Sequence, residues 1–381
     1  MTLTRIGLAA CLLALCAGQG AWCAPPTGPL GVLGVSGAAD RGFARALAVH
    51  PFEFPRDAGP HPAYRHEWWY WTGHLRARDG ERFGFELTFF RIALTPPATQ
   101  SGAAAGARSR WRARQIYVAH FAVTDISRGT FHSTARYERE ALGLAGAQAS
   151  PFRVWLGGWS VTQEDAPGVR ILRAADSAYG LRLRMQPLMA PVLNGDHGLS
   201  IKSRSPWSAS DYYSVPRVAV RGEVFRGGQV LEVSGTAWLD REWGSGGLGR
   251  NEAGWDWFAL QLDDGSDLMF YVMRDRDGAP DPVSAGTWVG KDGHVRALSD
   301  HDVRIDVLGH WTSPNGTRYP SGWRVRAPSL GLDVTLQPVL KDQELDVLPR
   351  YWEGDVDVSG TRDGHALAGQ GYVELVGYGK P

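Results

Sequence analysis

Cysteine is almost missing from this chain. Its 381 residues hold three, Cys11, Cys16 and Cys23, all inside an apolar N-terminal leader. The rest has no thiol to bind a metal and no disulfide, so its folded body must be held by its core alone. A charge excess is missing too. Lys plus Arg number 40 and Asp plus Glu number 40, for a net charge of zero. Nucleic-acid binding rests on a concentrated basic face, so no nucleic-acid partner is expected. No run beyond the leader is long and apolar enough to cross a membrane. The 11 histidines are scattered (His120, His197, His301 and His310 lie far apart). None gives the paired or short spacing that a zinc site uses, so no metal is expected. No Gly-x-Ser-x-Gly elbow marks a nucleophile. Gly244 to Gly249 lacks the Lys-Ser/Thr that follows a phosphate-cradling loop, so no cofactor is expected either.

The leader reads as an export signal over residues 1–23. Arg5 gives the positive start and Ile6 to Ala17 an apolar stretch too short to span a bilayer. Ala21-Trp22-Cys23 offers a cut that leaves Ala24 as the new start, giving a periplasmic or secreted protein. Leu8-Ala9-Ala10-Cys11 is a rival lipoprotein box that would anchor the chain at Cys11. Residues 24–50 are rich in Gly, Pro and Ala and read as a linker.

Glycine (48) and proline (23) punctuate short aromatic and β-branched runs, the pattern of an all-β protein. Strands are predicted over Trp69 to Leu75, Arg82 to Ile92, Gln115 to Ile126, Arg153 to Val161, Gly180 to Gln186, Tyr212 to Val220 and Val230 to Leu239. Asp79-Gly80 between the first two is a hairpin signal. Short helices fit only at Leu94, around Ala103 and over Tyr137 to Leu144. The order Trp-x-Trp, Asp-Gly, apolar strand, Arg occurs twice. It runs once from Trp69-Tyr70-Trp71 to Arg91 and again from Trp255-Asp256-Trp257 through Asp264-Gly265 to Arg274. The two spacings differ by a residue or so. Such a repeat favours two related barrel-like domains, 51–241 and 242–381.

Two aromatic signatures can carry chemistry. In His66-Glu67-Trp68-Trp69-Tyr70-Trp71-Thr72-Gly73, alternation puts Glu67, Trp69 and Trp71 on one face and Trp68, Tyr70 and Thr72 on the other. Both faces are therefore covered. These rings either plug a core or line a pocket for an apolar molecule. Glu67 among indoles needs a cation, Arg65 or Arg91, or a raised pKa. In Trp238-Leu239-Asp240-Arg241-Glu242-Trp243-Gly244, Asp240 shares a face with Trp238 and Glu242. An Asp held protonated beside aromatics can give a proton to a substrate. Trp and Tyr faces stabilise a cation formed nearby. The same residues also suit an ion pair joining two domains.

Glu67 to Gly73, Tyr117 to Asp125, Trp238 to Gly244, Gly254 to Phe258, Tyr351 to Gly354 and Gly371 to Leu375 together resemble the AttH / carotenoid 1,2-hydratase-like family, often called predicted secreted hydrolases. The resemblance covers about residue 50 to 380 and implies two consecutive lipocalin-like β-barrels. It also implies an acid at Asp240, because the hydratases' Tyr-x-Asp falls on Trp238-Leu239-Asp240. Their upstream His-x-Trp falls on Asp211-Tyr212-Tyr213. On this resemblance Asp240 protonates an isolated C=C bond, Trp238 and Tyr213 shield the cation, and water adds. Asp211 beside Asp240 would raise one carboxyl pKa by like-charge repulsion. The expected pocket lies near the domain junction. Its floor is Asp211, Tyr213, Trp238 and Asp240, and its walls are Trp69, Trp71, Trp255 and Trp257, with Glu67 close by. Three functions stay open: a hydro-lyase acting on an isoprenoid or lipid-like molecule, a non-catalytic carrier of one, and a hydrolase using Asp240 or Glu242 to activate water.

Overall fold

The computed structural model describes residues 40–97, 113–166, 168–205, 207–249 and 251–379. The expected export leader, most of the linker and the Ala103 helix lie outside these residues. Thirteen strands build a first sheet: β1 (His66–Ala77), β2 (Arg82–Ala93), β3 (Gln115–Asp125), β4 (Thr130–Arg139), β5 (Ala145–Gln148), β6 (Arg153–Leu156), β7 (Trp159–Gln163), β8 (Arg170–Ala175), β9 (Tyr179–Pro187), β10 (Val192–Leu193), β11 (Leu199–Ile201), β12 (Ala209–Arg226) and β13 (Gln229–Gly244). Its order is β4-β3-β2-β1-β13-β12-β9-β8-β7-β6-β5, with β10 and β11 added along β12. The sheet curls into a nearly closed barrel.

The second half contributes β14 (Glu252–Leu262), β15 (Asp267–Asp275), β16 (Ala285–Val289), β17 (Val295–Ser299), β18 (Arg304–Val307), β19 (His310–Thr312), β20 (Arg318–Pro320), β21 (Trp323–Ala327), β22 (Leu332–Pro338), β23 (Glu344–Leu345), β24 (Tyr351–Arg362) and β25 (His365–Val376). Strands β19 and β20 pair apart as a ribbon. The others form a half-barrel in the order β17-β16-β15-β14-β25-β24-β22-β21-β18, with β23 on β24. The architecture is all-β and lipocalin-like in both halves.

Turn chemistry sets the hairpins. Gly80 and Gly265 take φ of +94° and +89°, a region that suits glycine, and each closes the Asp-Gly turn predicted for it. The run Arg153 to Val161 is two strands rather than one, because Gly157 at φ +56° turns the chain between β6 and β7. The helix expected over Tyr137 to Leu144 does not form. Tyr137 pairs with Val118 in the β3–β4 ladder, leaving only a single 3-10 turn at Ala141–Gly143. Leu94 is a bend whose N–H is held by the Arg114 carbonyl.

Each sheet closes on its own core. Trp69, Trp71, Leu87, Phe121, Trp159 and Trp243 fill the barrel. Phe258, Leu260, Trp323, Leu336 and Trp352 fill the half-barrel. A third apolar cluster lies between the sheets, built from Tyr70, Tyr212, Trp238, Trp257, Tyr271 and Tyr372. The repeated hairpin explains why. Trp71 lies six residues before Ala77, the end of β1, whereas Trp257 lies five before Leu262, the end of β14. A one-residue slip turns a strand's side chains to the opposite face. The first Trp pair therefore faces its own barrel, and Trp257 faces across to the other sheet.

Candidate active site between the two sheets

Strand pairing writes the site as parallel rows. Residues directly opposite one another in antiparallel strands share a face. His120 pairs with Thr88, Thr88 with Tyr70, Tyr70 with Asp240 and Asp240 with Ser214. These form one polar row across five strands of the barrel. Phe90, Trp68, Glu242 and Tyr212 form the next row, two residues along. From the half-barrel, Glu353, Glu374, Trp257 and Tyr271 make a facing row. A bulge between Val215 and Val218 sits just past Ser214, where Pro216 has no N–H to give the ladder.

The rows enclose a cleft with a cavity volume of about 100 Å³. Its walls are mostly aromatic: Trp68, Tyr70, Phe90, Tyr212, Trp255, Trp257, Tyr271 and Tyr351. Its polar groups are few: Asp240, Glu242, Glu374, Lys202, Thr88, Ser210 and His66. An apolar pocket with a few convergent polar groups is the usual form of a small-molecule site.

Asp240 is 4% exposed. Its Oδ1 accepts from the Trp238 indole N–H at 2.7 Å and the Ser214 hydroxyl at 2.5 Å. Its Oδ2 accepts from the Tyr212 hydroxyl at 2.5 Å. Among the described residues no cation is ion-paired with it. Burial pushes its pKa up to about 7 against these three donors, and Glu242 adds like-charge repulsion. Burial raises the proton's hold, while the donors stabilise the carboxylate left behind. Both suit a group that gives a proton and takes it back near neutral pH.

Its neighbours continue the network. Tyr212 accepts at 3.1 Å from the Trp257 indole of the other sheet. Tyr70 donates to Glu353 at 2.8 Å, and Tyr351 donates to Glu86 at 3.0 Å. Burial pushes Glu86 up to about 7 and Glu374 up to about 8, and it raises Glu353 well above the usual carboxylate range. At the mouth, Lys202 pairs with Glu242 at 3.2 Å and lies over the Tyr212 and Tyr271 rings. Among the described residues no three His, Asp or Glu side chains converge as a metal would require.

The predicted site residues separate by face. Asp240, Trp255 and Trp257 line the cleft. Trp238 stands behind Asp240 as a hydrogen-bond donor rather than as floor. Trp69 and Trp71 do not wall the pocket. They are 0% and 1% exposed in the barrel core, where Trp69 donates to the Ala58 carbonyl. Asp211 and Tyr213 are not its floor either, because they point into the barrel. Asp211 pairs with His50 at 3.0 Å, and Tyr213 packs against Phe52, Phe54 and Trp243. The expected repulsion between Asp211 and Asp240 is absent, since alternation puts them on opposite faces. Glu67 is also inside the barrel, bound by Arg91 and Arg241. Those cations hold its pKa below the usual range although burial pushes the other way. Tyr212, Ser214, Lys202 and Glu374 were missed. Tyr212 lies between the two residues chosen, Asp211 and Tyr213, and only the register against β13 shows which of the three faces the cleft.

The AttH-like profile matches residues 45–378. The chain belongs to the AttH-like family. A solved structure from Nitrosomonas europaea described as AttH is 34% identical. It covers 88% of this chain and 100% of that one, with a TM-score of 0.77. Kievitone hydratase from Nectria haematococca shares 16% identity, 88% and 95% coverage and a TM-score of 0.66, a likeness of fold alone. The dehydratase asqC of Emericella nidulans is 25% identical over 199 residues, 49% of this chain and 55% of that protein. The match to that curated relative thus spans about half its length. Among the described residues of this AttH-like chain, no helix is long and apolar enough to cross a membrane.

Proposed function

We propose that this AttH-like protein is a hydro-lyase that adds water to a C=C bond of an isoprenoid or lipid-like molecule, or removes it, with Asp240 as the acid. One observation carries the reading: a buried carboxyl with no ion-pair partner among the described residues, held by Tyr212, Ser214 and Trp238, opens onto an aromatic cleft. In the forward direction the alkene π pair takes the Asp240 proton and a C–H bond forms. The cation left on the neighbouring carbon lies among the faces of Tyr212, Trp257 and Tyr70, which stabilise positive charge. Water adds to that carbon and loses a proton. Dehydration is the same path reversed, in keeping with relatives named as a hydratase and a dehydratase.

The test is incubation of the full protein with geraniol, farnesol and geranylgeraniol in isotopically labelled water, read by mass spectrometry. The wild type is expected to return one of them with the mass of water added. Asp240→Asn is expected to lose that product by about a hundredfold or more, the usual weight of a general acid. An Asp240→Asn protein that keeps full turnover would falsify the assignment. A prenol bound and recovered unchanged by the wild type points to the carrier, and cleavage of an added ester to the hydrolase. Export to the periplasm or beyond is part of the proposal and rests on the leader alone. N-terminal sequencing of the protein recovered from its host checks it, and Ala24 is the expected first residue.

A further inference from the structure

Addition of water needs two proton transfers, one to carbon and one away from oxygen. Asp240 is fully engaged by the first. A carboxylate has about four lone-pair positions. Ser214 and Trp238 fill those of Oδ1 and Tyr212 takes one on Oδ2, so a single position is left for the proton it delivers. The second transfer needs another group facing the same space.

From this geometry we infer that Glu374 is that group, the base that takes the proton of the attacking water; the inference rests on the hydro-lyase reading above. Glu374 lines the same cleft but comes from the opposite sheet, on β25. Its direct partners across the sheet are Trp257, whose indole reaches Tyr212, and Glu353 on β24. The Trp255 indole hydrogen-bonds to it. The charged groups that face it are the carboxyls Glu353 on β24, Asp240 and Glu242 on β13 and Glu86 on β2, with Lys202 lining the same cleft and the Tyr70 and Tyr351 hydroxyls beside them. Lys202 is already paired with Glu242, so the carboxyls resist a second negative charge and favour a form in which protons are shared. Glu242, on the same strand as Asp240, is engaged by Lys202, whereas Glu374 lines the same space from the opposite sheet. An alkene held between the sheets has Asp240 on one side and Glu374 on the other.

The chemistry balances. The Asp240 O–H bond breaks as C–H forms. The water oxygen bonds to the cationic carbon, and its O–H bond breaks to leave the proton on Glu374. The turnover ends with Asp240 as carboxylate and Glu374 protonated. Glu374 holds a proton more tightly than Asp240, with a pKa of about 8 against about 7. The reactive form, with Asp240 protonated and Glu374 ionised, is therefore the minor member of a shared-proton pair, and return of the proton through a water in the cleft restores it.

The experiment repeats the prenol assay in deuterium oxide with the wild type, Glu374→Gln and Glu374→Asp. Alkene protonation needs only Asp240, so Glu374→Gln is expected to exchange deuterium into recovered prenol near the wild-type rate. Water addition is expected to fall by about a hundredfold in the same protein, and Glu374→Asp is expected to recover part of it. Thermal melts of the variants confirm that each is folded. If Glu374→Gln loses exchange and hydration in proportion, or keeps pace with the wild type in both, the assignment is overturned while the hydro-lyase reading stands. A wild type that hydrates none of the three alcohols overturns both.

Discussion

Tyr212 on β12 donates its hydroxyl to Asp240 on β13 at 2.5 Å, while the adjacent Tyr213 is buried inside the barrel against Trp243. One residue of strand alternation separates a group that stabilises the acid's conjugate base from a group that packs a core. Hydrogen bonds to a charged acceptor are worth about 1.5–3 kcal/mol. Tyr212→Phe is therefore expected to slow turnover by roughly ten- to a hundredfold. It also removes a donor that lowers the Asp240 pKa, so the alkaline limb of the pH–rate profile moves up. Tyr213→Phe is expected to leave that limb in place and to cost about 1 kcal/mol of stability through lost bonding to Arg170. Equal shifts in the two pH profiles would contradict the placement.

Stability should fall as the solution turns alkaline. Burial raises Asp240 and Glu86 to about 7 and Glu374 to about 8, and it lifts Glu353 well above the usual carboxylate range. In the unfolded chain these carboxyls ionise near 4. Between the two values the folded protein holds protons that the unfolded chain has released, so each rise in pH favours unfolding. The stability is full below the unfolded pKa and is lost progressively up to about 8. Glu67 acts oppositely, because its lowered pKa keeps its contribution until strong acid. Denaturant melts across mildly acid to mildly alkaline pH are expected to show a decline of several kcal/mol, at about 1.4 kcal/mol per pKa unit per group. Glu374→Gln should flatten part of the slope. A flat or rising profile in the wild type would show that these groups are solvated.

Much of the fold was legible because short-range chemistry sets it. Alternation and the two Asp-Gly turns located the hairpins, and Trp68 and Tyr70 opposite Trp69 and Trp71 showed that β1 is covered on both faces. Asp240 was legible as a carboxyl amid aromatics. The site's composition was not, because it depends on pairing between strands far apart in the chain. Whether Asp211, Tyr212 or Tyr213 faces Asp240 follows from the β12–β13 register, which shifts at the bulge beside Pro216. The repeat misled at Trp69 and Trp71, since its one-residue difference reverses which face meets the other sheet. Glu374 lies in the Gly371 to Leu375 motif, but nothing in that motif marks it as facing Asp240. Its role appears only when β25 is laid beside β14.

The Glu67 cluster should govern stability and leave chemistry alone. Glu67 is fully buried, accepts from Arg91 and Arg241, and takes the His61 backbone N–H at 3.0 Å. Arg241 also lies 4.0 Å over the Trp69 ring. Removing the carboxylate strands two guanidiniums without water or counter-charge, a loss of about 3–5 kcal/mol for a broken buried pair. Glu67→Gln is expected to lower the melting temperature sharply and to keep the pH–rate profile of whatever protein remains folded. A displaced pH limb at unchanged stability would place Glu67 in the reaction instead.

Asp211 offers the complementary case, a carboxylate that the family motif draws to the site and the fold directs elsewhere. Its Oδ1 pairs with His50 at 3.0 Å, and His50 stacks on Phe52 at 5.3 Å between ring centres. Phe52 in turn packs against Tyr213 and Trp243 inside the barrel. The pair thus pins the segment entering the barrel. Partial burial lowers the His50 pKa, but the Pro51 carbonyl and Asp211 outweigh it, and the net shift is upward. For a histidine raised on folding, the stabilisation is present below the unfolded value of 6.5 and is lost as pH rises through the folded one. Asp211→Asn is therefore expected to speed amide exchange around His50 and Phe52 at pH below 6.5 and to change it little well above. Because Asp211 and Asp240 point to opposite faces of the sheet, prenol hydration should keep its rate and pH limb in this variant. A loss of hydration matching that of Asp240→Asn, with exchange near His50 unchanged, would return Asp211 to the chemistry.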